Sequence, residues 1–103
     1  MPTTTALKQD ANRMLANVPA EYVFWLSDGR TLGNMSELAD ALRTIPDDVY
    51  NHHVNHEKND FSNWVRDIIK DEKLANDLRK SSSKRQAATR VSERINALKK
   101  SLS

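Results

Sequence analysis

NDFSNWVRDII, residues 59–69, is the most regular apolar stretch of a 103-residue chain. Phe61, Trp64, Val65, Ile68 and Ile69 fall at i, i+3, i+4, i+7 and i+8, the stripe that one face of an α-helix buries. The spacing predicts a helix at the centre of a core, with Asn59 or Asp60 accepting from the orphan amides that open it. Just beyond, Asp71 stands where a cap belongs before EKLANDL, whose Leu74, Ala75 and Leu78 continue the apolar surface after a bend.

Upstream, NMSELADALRTIP reads as a helix capped by Asn34, with Glu37 three residues on as in a capping box and Leu38, Ala41, Leu42 and Ile45 as its buried stripe. Pro46 suits a first helical turn and Asp47 and Asp48 suit its positive end, so PDDVYNHHV reads as a short helix. Between Tyr22 and Leu32 the period changes. An aromatic and branched run, Asp28-Gly29 and a return through Thr31 and Leu32 predict a hairpin, with a type I′ turn and either Phe24 and Leu26 or Val23 and Trp25 inward. Leu7, Ala11, Met14 and Val18 predict a first helix that stops before Pro19.

Beyond RKSSSK, read as a linker, Ala88, Val91, Ile95, Leu98 and Leu102 recur at three and four residues on a last helix. About two heptads are covered, fewer than a convincing coiled coil needs. The expected architecture is mainly α: a helical domain over residues 1–80 with a hairpin near 22–32, and a basic amphipathic helix over 84–103, docked on that domain or binding a partner.

Composition narrows the function classes. With 38% apolar and 29% charged residues the chain is polar but able to fold, and its length suits one core. It has no cysteine, which excludes disulfides, thiol catalysis and cysteine-ligated zinc. The N-terminal residues lack the basic and apolar regions of a signal peptide, and no stretch has the length of a membrane span, so a cytoplasmic protein without membrane contact is expected. Residues 79–103 carry eight basic side chains and one acidic, net +7, whereas residues 1–78 carry 8 basic and 13 acidic, net −5. Segregation of this kind suggests an anionic partner.

Residues 22–80 resemble an uncharacterised prokaryotic domain family, found in archaea and bacteria. The residues that carry the resemblance are Asp28-Gly29, Leu38, Ala39, Leu42, His53-Val54-Asn55, Asn59-Asp60-Phe61, Trp64, Asp71, Leu74 and Ala75. The resemblance implies a domain boundary near residue 80 and no particular activity. It leaves the first helix and the basic tail outside the shared part.

Four sets of residues are candidates for function. His53, Asn55, Asn59 and Asp60 form either a hydrogen-bonded elbow between helices or a ligand site, and the elbow takes precedence. His52, His56 and Asp60 at helical spacing could hold a metal with Glu57 as base, but a helix cap accounts for Asp60 and NHEKN reads as a loop, so neither metal nor cofactor is assigned. Asp47 with Asp48 and Asp71 with Glu72 are explained by helix starts. With two glycines there is no phosphate loop, and no catalytic residue is assigned. Phe24, Trp25, Phe61 and Trp64 read as core rather than as a base-stacking platform.

The last helix carries the other two sets. Val91, Ile95, Leu98 and Leu102 form the seam of a non-catalytic interaction module, contacting a second copy, a protein partner, or the protein's own body. Lys84, Arg85, Arg90, Arg94, Lys99 and Lys100 form the alternative, a surface for the phosphates of nucleic acid or a ribonucleoprotein without base readout.

Overall fold

The structure, a computed structural model, describes residues 4–102, with side chains from residue 9 onward. Six helices and a two-stranded hairpin follow in the order α1 (Thr4–Leu15), β1 (Phe24–Trp25), β2 (Thr31–Leu32), α2 (Met35–Thr44), α3 (Asp47–His53), α4 (Asp60–Trp64), α5 (Glu72–Lys80) and α6 (Lys84–Leu102). The expected mainly α architecture with a hairpin and a long last helix is the one observed. No helix among the described residues is long and apolar enough to cross a membrane.

Local chemistry explains most boundaries. At α2 the Asn34 side chain accepts from the Glu37 N–H at 2.8 Å, while the Glu37 carboxylate accepts from the Gly33 N–H at 2.7 Å. This reciprocal pair satisfies two donors that a helix start leaves orphaned. Pro46 sits one residue before α3 rather than in its first turn, and its C=O accepts from the Tyr50 N–H. The serines expected to form a linker are instead a cap. Ser83 accepts from the Gln86 N–H at 3.1 Å, and the Gln86 side chain accepts from the Ser82 N–H at 2.7 Å, so α6 opens with its own reciprocal box.

The hairpin pairs Phe24 with Leu32 and Trp25 with Thr31. Its turn is not the type I′ expected from Asp28-Gly29, because only Gly29 takes a positive φ, 96°. The loop instead spans Ser27, Asp28 and Gly29, closed by the Leu26 N–H on the Arg30 C=O and the Gly29 N–H on the Leu26 C=O. Asp28 accepts from the Arg30 N–H and guanidinium, which favours the longer loop with glycine at its left-handed position. Phe24 and Leu26 point inward, the first of the two orientations considered.

The core lies between the hairpin, α2, α4, α5 and α6. Phe24 stacks on Phe61 with centroids 4.9 Å apart, Tyr50 stacks on the same ring, and Trp64 meets Phe24 edge-on. Ala87, Ala88, Val91, Ile95 and Leu98 of α6 are buried in one cluster with Leu38 and Leu42 of α2 and Ala11 of α1. Helix α6 packs most extensively against α2 and next against α1. It is therefore docked on its own domain. Met14, Leu15 and Val18 are partly buried against this core, while Leu7 lies outside the described side chains.

The stripe at residues 61–69 is helical but not uniformly α. After Trp64 the chain widens into a π-helical turn, Val65–Ile69, in which the Lys70 N–H reaches the Val65 C=O. Arg13 of α1 donates to the Ile69 C=O at 2.8 Å and so satisfies a carbonyl that the helix end leaves open. Ile69 is buried and Ile68 only partly so. Lys70 then turns the chain in the left-handed conformation, φ 66°, where a side chain costs about 1 kcal/mol relative to glycine. Lys70→Gly should raise stability by up to about 1 kcal/mol, read as a higher urea midpoint at unchanged slope; an equal or lower midpoint would show that this turn carries no strain.

Candidate functional site

The elbow between α3 and α4 is the most densely bonded polar region. His53, on the last turn of α3, is 6% exposed and wedged edge-on against Phe24 and Phe61. Its Nε2 accepts from the Ser27 N–H at 3.0 Å, so the ring proton is on Nδ1, which donates to Asp60 Oδ2 at 3.1 Å. Both nitrogens are engaged. The imidazole is a cross-link between hairpin and α4, and no lone pair remains to act as a general base.

The neighbouring residues are equally occupied. The Asn55 side-chain oxygen accepts from the Glu57 and Lys58 amides, closing a tight turn whose ends pair Val54 with Asn59. Asn59, rather than Asp60, caps α4 through the Ser62 N–H, and its amide donates to the Leu78 C=O at the end of α5. Asp60 instead accepts from His53 and from Lys58 Nζ at 3.0 Å. Burial alone would raise the Asp60 pKa, but hydrogen bonds from His53 and Lys58 outweigh it and hold the carboxyl below its ordinary 3.8. His53, Asn55, Asn59 and Asp60 are thus all hydrogen-bonded within the elbow, and His53 reaches the hairpin backbone at Ser27 as well as the Asp60 side chain of α4.

The metal alternative does not assemble. Helix α3 ends at His53, so His52 and His56 do not share a helical face, and the His52 ring lies edge-on against His53. Among the described residues no group of three or more His, Cys, Asp or Glu side chains could hold a metal ion.

The two sets on α6 are placed differently from expectation. Val91, Ile95 and Leu98 are buried and Leu102 partly so, against α1 and α2. The seam is the inside of the protein, and a partner could reach it only after α6 had undocked. Of the six cations, three meet the protein's own acids. Arg94 donates through Nε and Nη2 to both oxygens of Asp71, at 2.7 and 3.2 Å, and the carboxylate also caps α5 through the Leu74 N–H. Lys84 donates to the Ile45 C=O and meets Asp47 at 3.1 Å. Arg90 lies 3.4 Å from Glu93. Arg85 and Lys99 are exposed without a partner among the described residues, and Lys100 is exposed near the far end. Arg85 and Lys99 stand roughly 21 Å apart along the helix at the usual rise.

Sequence reading missed two features. The Asp71–Arg94 pair joins residues 23 positions apart, for which no local spacing exists. Trp25 was grouped with the core, yet it is 67% exposed, beside Tyr22 at 53%, while Phe24, Phe61 and Trp64 are buried. The alternation of a strand was the available signal, since Phe24 inward puts Trp25 outward. Backbone supports hold this surface: Trp64 Nε1 donates to the Tyr22 C=O at 2.8 Å and the Ser27 N–H is fixed by His53.

Comparison with protein-family models, with curated proteins and with solved structures found no match for this chain.

Two stability outcomes follow. Arg94→Met leaves the Asp71 carboxylate buried without its counter-ion and should cost about 3 kcal/mol or more in urea unfolding; a cost under about 1 kcal/mol would show that the pair does not hold α6. For Asp60, a depressed folded-state pKa means that its contribution is present above the unfolded value and lost as pH falls through the lower folded one. Asp60→Asn should therefore cost about 1 kcal/mol at neutral pH. In urea melts that difference should shrink below the ordinary value of 3.8, and a pH-independent difference would contradict it.

Proposed function

We propose that the protein is a non-catalytic interaction module of the cytoplasm that contacts a protein partner through the aromatic face of its hairpin. The observation that carries this reading is the exposure of Trp25, 67%, next to Tyr22 in a protein whose other tryptophan is buried. Tryptophan and tyrosine are the side chains that most often dominate binding energy when a partner covers them, because they bring large area at little conformational cost. The supports under the face are rigid, since the Phe24 and Phe61 stack and the Trp64 and His53 bonds hold the strand from behind. The engagement of both His53 nitrogens favours a binding role over acid–base chemistry. In this reading α6 is the clasp that completes the core, and assembly through its seam recedes.

A second reading retains the phosphate contact. Arg85 and Lys99, which have no partner among the described residues, favour it, with Lys100, Arg79 and Lys80 also exposed. Lys84 and Arg94 no longer belong to that set, which leaves fewer and more widely spaced cations than the sequence suggested.

The two readings separate in a comparative capture experiment with the immobilised full chain, the Tyr22→Ser/Trp25→Ser variant and the Arg85→Glu/Lys99→Glu variant. Both variants should keep their unfolding free energies within about 0.5 kcal/mol, as exposed substitutions do. Proteins held by the wild type should be lost from the aromatic variant and kept by the charge-reversed one. Retention of nucleic acid that disappears with the charge reversal, and is indifferent to Trp25, would replace the first reading by the second.

A further inference from the structure

The bonds that hold the elbow shut leave a cleft on its outer side. It has a volume of about 500 Å3 and lies between the turn at residues 55–58, helix α4 and the C-terminal end of α5. That size falls within the range of small-molecule sites, roughly 300–1,000 Å3. Val54 is its one apolar lining residue. The side chains that can recognise an occupant specifically are therefore polar ones.

The polar lining falls into two sets. Asn55, Asn59, Ser62 and Ser81 are engaged by the fold, Ser62 Oγ donating to the Ala75 C=O at 2.6 Å and Ser81 Oγ to the Asp77 C=O at 2.8 Å. The others are not held in this way. The His56 ring, the Glu57 carboxylate and the Asn63 amide have no side-chain partner among the described residues. Arg79 donates once, to Asn76 Oδ1, and Lys58 once, to Asp60 Oδ2, which leaves the rest of each cation's donors unengaged. One cleft thus gathers two cations, one acid and two groups able both to donate and to accept.

We propose that this cleft binds a small polyhydroxylated oxyanion, a molecule with a single carboxylate or phosphate group and several hydroxyls. The planar fork of Arg79 matches two oxygens of such a group, and Lys58, whose charge Asp60 already opposes, adds its remaining N–H donors. Glu57 accepts from hydroxyls and disfavours a second anionic group by repulsion. His56 and Asn63 take the remaining hydroxyls, as donor or acceptor. The site is separate from the hairpin face, so the two assignments stand or fall independently.

The test is titration of the full chain at low salt with gluconate and with glycerol 3-phosphate, followed by the amide chemical shifts. Glycerol serves as the neutral control. At least one anion should produce saturable shifts confined to residues 54–63 and 79–81, with glycerol silent, and the stronger of the two identifies whether the group is a carboxylate or a phosphate. Arg79→Gln should weaken that binding about tenfold or more, the loss expected for a charge-assisted contact. Asn63→Ala should weaken it less, and Arg85→Gln, remote on α6, should leave it unchanged. Absence of saturable shifts with both anions would overturn the proposal. So would equal weakening by Arg79→Gln and Arg85→Gln, which would mark a diffuse charge effect rather than a site.

Discussion

The carboxylate of Asp71, 1% exposed, is the constraint on which the arrangement of helices depends. A carboxylate removed from water costs several kcal/mol unless its lone pairs are met and its charge is opposed. Here the Leu74 N–H, Arg94 Nε and Arg94 Nη2 supply the donors, while the Asp71 N–H itself reaches the Val65 C=O of the π-helical turn. One residue therefore fixes where the π turn ends, where α5 begins and how α6 lies against both. Arg94 precedes Ile95 in the sequence. Pinning its guanidinium at Asp71 sets the rotation of α6 about its axis, and that rotation carries Val91, Ile95 and Leu98 into the core.

The same pair changes the meaning of the charge asymmetry. An acidic body and a basic tail look like a surface awaiting an anion when counted along the sequence. In three dimensions part of the tail's charge is matched by the protein's own acids, by Arg94 on the buried Asp71 and by Lys84 on the exposed Asp47. The two contacts stand at different places on α6, so they orient the helix as well as attract it. Segregated charge in a short chain is therefore as consistent with self-docking as with a partner.

Legibility followed the range of the interaction. The Asn34 and Glu37 box, the Asp71 cap and the apolar stripes of α2, α5 and α6 are encoded within a few residues and were readable. Ser83 and Gln86 have the same spacing as that first box, but three consecutive serines suggested a linker, so a present signal was misread. The π turn was hidden because Phe61, Trp64, Val65 and Ile69 satisfy an α stripe over most of their length, and Arg13, which bonds the Ile69 carbonyl at its end, lies more than fifty residues earlier. The elbow was legible as a place where polar groups satisfy each other. Its partners were not, since Ser27 and Leu78 come from distant segments.

Residues spread from the hairpin turn to the start of α5 have structural work in common. Gly29 makes the turn, His53 and Asp60 bolt the hairpin to α4, Asn59 joins α4 to α5, Phe61 and Trp64 form the aromatic stack, and Asp71 seats α6. A pattern of that sort describes how a fold closes. Binding requires side chains whose polar or aromatic heads the fold leaves unengaged, and those lie beside the pattern rather than in it: Tyr22 and Trp25 on one surface, His56, Asn63 and Arg79 on another. Each of these exposed groups sits within a residue or a few of a buried anchor, as Trp25 follows Phe24 and Asn63 precedes Trp64. The anchors hold such surfaces in shape at little conformational freedom, which lowers the entropy cost of any partner or ligand they meet.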